Sequence, residues 1–161
     1  MKTFLFTLLI IVYQQITAQS ETTTLYLIRH AEKADYSQNP ELSEQGINRA
    51  MRWTKLFEKT PIDIFYTTLT RRTQMTCSTI ATSKQKDMVF YDASKLSLQE
   101  IIEKHRGKVI LIVGHSNTIP KQINAFLNEE IYRQIDENEF GNLYTIMVKG
   151  DKIEHKLSQH K

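Results

Sequence analysis

LYLIRHAEK, residues 25–33, joins a hydrophobic run with strand character to four ionisable side chains, Arg29, His30, Glu32 and Lys33, with only Ala31 among them. So abrupt a change marks the end of a buried strand, predicted over Thr24–Ile28. The pattern recurs where Val109–Val113 runs into Gly114-His115-Ser116-Asn117-Thr118, with Gly114 expected to permit a tight turn before the histidine. A third strand, Ile62–Tyr66, leads through TTLTRRTQMT (residues 67–76) into a helix and sets Arg71 and Arg72 near its start. In an open α/β sheet the ligand crevice lies beyond the carboxyl ends of the strands, which is where these histidines and arginines fall.

The rest of the chain fits such a sheet. Strands are also predicted over Met88–Tyr91, Leu143–Val148 and Lys152–Lys156, the last two joined by the hairpin-like Lys149-Gly150-Asp151. A first helix follows Ser43 as N-cap, with Ile47, Ala50, Met51 and Phe57 expected on its buried face. A second, Arg72–Ser83, turns Thr73, Thr76, Cys77, Ile80 and Ala81 inward. A third opens with the capping box Ser97-Leu98-Gln99-Glu100, buries Leu98, Ile101 and Ile102, and stops at Gly107; a fourth starts near Pro120 and presents Ile119, Ile123, Phe126 and Leu127. Strands alternating with helices imply an α/β fold, a three-layer α/β/α sandwich with a mostly parallel central sheet and an antiparallel edge.

The 161 residues suit one domain, with no internal repeat or linker. Lys2, the apolar run Phe4–Val12 and the polar stretch ending at Ala18 have the shape of a secretory signal peptide, the apolar part being too short to span a bilayer. Residues 1–18 are therefore expected to be removed, leaving 19–161 as a secreted or periplasmic domain with no membrane attachment. A short membrane anchor and a buried first strand are the alternatives. The single cysteine, Cys77, lies among apolar helix positions and is read as a small buried hydrophobe, so export brings no disulfide framework. A net charge of +3 with interspersed signs argues against nucleic acid as partner.

Taken singly, a histidine after a strand is an ordinary loop residue, and paired arginines at a helix start are an ordinary solvated surface. Together, two histidines and two separate sources of arginine at strand exits form a compact cationic cluster suited to a phosphate-like oxyanion. The spacing lacks His-x-x-x-His and His-x-His pairs and the neighbours are cationic, so no metal is expected; no phosphate-loop or dinucleotide fingerprint is present, so no cofactor is expected.

In chain order, LYLIRHAEK, LSEQG (residues 42–46), YTTLTRRTQMT (66–76) and VILIVGHSNTIP (109–120) resemble the motifs of the histidine phosphatase superfamily, the phosphoglycerate-mutase-like fold, over about Leu25 to Tyr144. The resemblance implies that His30 is phosphorylated, that Arg29 and Arg72 bind the phosphoryl oxygens, and that His115 completes the catalytic pocket. Arg72 is preferred to Arg71 because the family places a threonine four residues after its arginine, the place of Thr76. Ala31 stands where many members have Gly, and Thr67-Thr68-Leu69 replaces a common Ser-Ser-Pro. The acidic residue of the better-known branches has no clear counterpart; Asp92, at a predicted strand exit, and Glu32, beside the nucleophile, are the general-acid candidates. The chain is too short for the long insertions of the mutases. The resemblance thus implies an exported phosphatase acting on small phosphomonoesters through a phosphohistidine on His30, the alternatives being a phosphohistidine-protein phosphatase and a catalytically idle phosphate-binding or interaction module.

Overall fold

The structure, a computed structural model, describes residues 21–160. The expected signal peptide, residues 1–18, lies outside the described residues. Among those described, β1 (Thr23–Arg29), α1 (Glu44–Leu56), β2 (Ile64–Thr67), α2 (Arg71–Ser83), β3 (Met88–Phe90), α3 (Leu98–Lys104), β4 (Val109–Gly114), α4 (Thr118–Leu127), β5 (Asn142–Lys149) and β6 (Lys152–Gln159) follow one another. The strands form one sheet in the order β3-β2-β4-β1-β5-β6. The four strands from β3 to β1 are parallel, and β5 and β6 continue the sheet antiparallel.

Alternation along the central strands builds both cores at once. Ile110 and Ile112 of β4 join Leu25 and Leu27 on one face, under Leu98, Ile101 and Ile102 of α3 and Ile119 and Ile123 of α4. Leu111 and Val113 join Ile28 and Phe65 on the other, under Trp53 of α1 and Cys77, Ile80 and Ala81 of α2. A sheet buried on both faces reads as a continuous apolar run, which is why β1 and β4 stand out in the sequence. The edge strand β6 is exposed along nearly its whole length and carries Lys152, Glu154 and Lys156, charges that discourage edge-to-edge pairing. It pairs with β5 through the two-residue turn Gly150-Asp151, with Gly150 at φ 58°.

Two expectations are corrected. The buried face of α1 is Gly46, Ala50 and Trp53, continuing to Phe57, whereas Ile47 and Met51 are exposed. Gly46 is required because a Cβ there would overlap the carbonyl oxygen of Glu32, so the helix lies directly against the chain that follows His30. Gly114 makes no tight turn. It lies within β4 and leaves room for neighbours: a Cβ would come within 2.8 Å of the Tyr91 hydroxyl and 3.1 Å of Ile119 Cγ1. Other boundaries shift by one to three residues, β6 most, because its polar residues hide a strand that is defined by pairing to β5.

Candidate active site

Parallel pairing of β1 with β4 matches Arg29 to Gly114, so the residues that follow, His30 and His115, leave the sheet side by side. The His30 N–H donates to the Gly114 carbonyl at 2.9 Å, and the two imidazole rings meet edge-on with centroids 5.6 Å apart. Arg72, in the first turn of α2, and Ser116, Asn117 and Thr118, at the start of α4, close the remaining sides of a cleft of about 480 Å³. All four residues proposed from the sequence, Arg29, His30, Arg72 and His115, line it.

His30 is held in one orientation by backbone. Its Nδ1 lies 2.7 Å from the Ala31 carbonyl oxygen, an acceptor only, so Nδ1 carries the hydrogen and Nε2 keeps its lone pair. The Ala31 N–H in turn donates to Thr76 Oγ1 at 3.0 Å, and that hydroxyl donates to the Arg72 carbonyl at 2.8 Å. Thr76 therefore ties the nucleophile candidate to the helix turn that carries Arg72, a physical reason for a threonine four residues after that arginine. Burial, with the charges of Arg29, Arg72 and His115 adding to it, pushes His30 down to about 3. His115 is pushed down to about 4 by burial and then by Arg72 and Arg29. Both imidazoles are neutral at neutral pH.

The two arginines differ. Arg29 is 1% exposed; its Nη1 donates to the carbonyls of Asp136, Glu137 and Glu139, its Nη2 donates to the Glu137 carboxylate at 3.1 Å, and its guanidinium covers the Phe140 ring at 4.1 Å. It organises the loop before β5 as well as the cleft. The Nε atoms of Arg29 and Arg72 are both buried without a hydrogen-bond partner. Buried donors left unpaired are costly. Arg71 points away, exposed and ion-paired with Glu41, while its N–H is capped by Asn39 Oδ1 at 2.9 Å.

Neither general-acid candidate lines the cleft. Glu32 is buried in an ion pair with Arg49, whose Nε lies 2.8 and 3.0 Å from its two carboxylate oxygens. Asp92 is taken up by Ser94 and Lys95 on the surface. Asp92 follows strand β3 closely, but β3 is the sheet edge, three strand spacings or about 14 Å from β1. Sequence reasoning missed Lys33, Thr70, Gln134 and Glu137, which also line the cleft, and the hydroxyl cluster of Thr68, Thr70 and Thr73. In that cluster Thr68 Oγ1 lies 3.1 Å from His115 Nε2. The run of threonines in residues 67–76 was the available signal for the cluster; nothing in the sequence distinguishes Glu137 from Asp136 or Glu139.

The profile of the histidine phosphatase superfamily (branch 1) matches residues 25–97, the segment that supplies Arg29, His30 and Arg72. Over that segment the sequence is similar to the histidine phosphatase superfamily. The fold agrees with solved structures of phosphatases. A phosphoserine phosphatase of Entamoeba histolytica in complex with phosphoserine superposes with a TM-score of 0.67 at 17% identity, over 83% of this chain and 95% of that one. A candidate phosphohistidine phosphatase, SixA, of Agrobacterium tumefaciens gives 0.63 at 19%, over 84% and 94%. The protein histidine phosphatase SixA complexed with tungstate gives 0.65 at 11%, over 84% and 96%. No curated protein matches the sequence.

The depressed histidines make stability depend on pH. Between about 6.5 and the folded values of about 3 and 4, the unfolded chain takes up protons that the folded protein refuses, so stability falls as pH falls through this window. Urea titrations at pH 7.5 and 5.5 should show a lower midpoint at pH 5.5, with the unfolding free energy smaller by about 1 kcal/mol for each of the two imidazoles after allowance for partial exposure. The difference should shrink in the His30→Gln, His115→Gln double variant. Equal midpoints for the natural protein would contradict neutral burial.

Proposed function

We propose that this protein is an exported histidine phosphatase that hydrolyses small phosphomonoesters through a phosphohistidine formed on His30. The observation that carries this reading is a neutral imidazole whose Nδ1 is pinned to the Ala31 carbonyl, between two arginines whose buried Nε atoms lack partners. Nε2 has the lone pair needed to attack phosphorus. Phosphoryl transfer needs an in-line nucleophile and dispersed positive charge about the equatorial oxygens, which Arg29 and Arg72 supply. His115 gains a proton more readily once a dianion is bound, and then donates to the transferring group. Water hydrolyses the phosphohistidine in the second step, and phosphate leaves. The tungstate in the similar SixA structure, a tetrahedral oxyanion, is in keeping with such a site.

Dephosphorylation of phosphohistidine on a protein is a second reading, favoured by the likeness to the two SixA structures. A panel of phosphorylated small molecules and a histidine-phosphorylated protein separates the two, according to which is turned over faster. Phosphate binding with no turnover of any member would leave the idle module. With its best substrate, activity should survive EDTA, since the charge stabilisation comes from side chains. His115→Ala should lower turnover by roughly a hundredfold. Arg72→Lys should also be costly, because a point charge cannot reproduce two-pronged contact with phosphate oxygens. Arg71→Ala should be nearly silent; loss of activity there with Arg72→Ala spared would reverse the assignment of the two arginines.

Export rests on the order of residues 2–18, basic, apolar, polar and small. N-terminal sequencing of the protein recovered outside the cytoplasm should begin near Gln19, and an intact Met1 in that material would defeat it.

A further inference from the structure

Among the described residues, Glu137 is the only carboxylate that lines the cleft. Its backbone is fixed, because its carbonyl and those of Asp136 and Glu139 accept from the buried Arg29. Its side chain is 67% exposed, with Oε2 3.1 Å from Arg29 Nη2 and Oε1 accepting from Ser116 Oγ at 3.3 Å. A carboxyl group is thus held at the mouth of the site by two contacts that a bound ligand can replace. One of them occupies the arginine next to His30.

We propose, resting on the reading of His30 as nucleophile, that Glu137 is the proton donor to the leaving group and the base that activates the hydrolytic water. A phosphomonoester dianion entering the cleft competes with Glu137 for the Arg29 guanidinium and releases the carboxylate beside new negative charge, which favours its protonation. The other charged or titratable groups that line the cleft are Arg29, Lys33, Arg72 and His115, and Asp136 and Glu139 lie on Glu137's own segment. In the first step the bond from His30 Nε2 to phosphorus forms and the bond from phosphorus to the ester oxygen breaks, the ester oxygen taking the Glu137 proton to leave as a neutral alcohol. In the second, water attacks phosphorus, the bond from phosphorus to Nε2 breaks, and the Glu137 carboxylate takes one proton from the water. Phosphate leaves as its monohydrogen dianion and Glu137 is again protonated. A donor in this position extends the substrate class to alkyl phosphates, whose alkoxides do not depart without a proton.

The test compares an alkyl phosphate with p-nitrophenyl phosphate, whose leaving group needs no proton, for the natural protein and Glu137→Gln. The glutamine keeps the shape and can still accept from Ser116, but has no acidic proton to transfer, and its exposed position leaves the fold undisturbed. The ratio of alkyl to aryl kcat should fall by about a hundredfold or more, within the usual worth of a positioned acid. The basic limb of the alkyl pH profile should disappear in the variant. An equal loss on both substrates, or no loss, would overturn the proposal while leaving His30 chemistry standing. Failure of the natural protein to turn over either substrate would overturn both.

Discussion

The Ala31 peptide is the constraint on which the site depends. Its carbonyl accepts from His30 Nδ1 and its N–H donates to Thr76, so one residue fixes both the tautomer of the imidazole and its distance from the helix that carries Arg72. The parallel pairing of β1 and β4 places His30 beside His115, and α1 packs against the residue after Ala31 through Gly46, which no larger side chain can replace without displacing the Glu32 carbonyl. Sheet, both helices of one layer and the nucleophile candidate thus meet within three residues. Burial then makes the neutral imidazole the favoured form, and it is the neutral form that can attack.

The electrostatics follow from a balance between desolvation and charge. Burial and the two arginines together lower the affinity of His30 and His115 for protons. Under the proposed reading, a phosphomonoester dianion bound in the cleft would offset the mutual repulsion of these cations. Arg29 has the more demanding position, since it also holds the loop from Ile135 to Phe140 through three carbonyls. A substitution there would lose the loop and the cleft together, so Arg72 and His115 are the cleaner probes of chemistry.

How much of this was legible in the sequence depends on whether a feature is local. Leu25–Ile28 and Val109–Val113 are buried on both faces and announce themselves as strands, and the residues that follow them are delivered to one crevice by any parallel sheet that pairs them. The helix over residues 71–83 was legible down to its buried positions, because a threonine, cysteine and isoleucine stripe matches the helical period. The first helix misled because Ile47 and Met51 are the more hydrophobic residues, while the face that packs begins with a glycine chosen for close approach. Asp92 failed for a reason of topology: strand exits are equivalent in sequence but not in the sheet, and β3 is at its edge. Glu137 lies in an irregular segment with no periodicity, and only the contact with Arg29, more than a hundred residues earlier in the chain, brings it to the cleft.

The central claim, that His30 carries the phosphoryl group, is tested most directly by trapping it. The protein is mixed with a reactive aryl phosphate, quenched in alkali within milliseconds, and mapped by peptide mass analysis. The account predicts an acid-labile, alkali-stable phosphate on the peptide containing His30, formed and lost at rates that match turnover, and absent from His30→Ala. Turnover with no phosphoryl group on His30, or with the label on His115 instead, would contradict it.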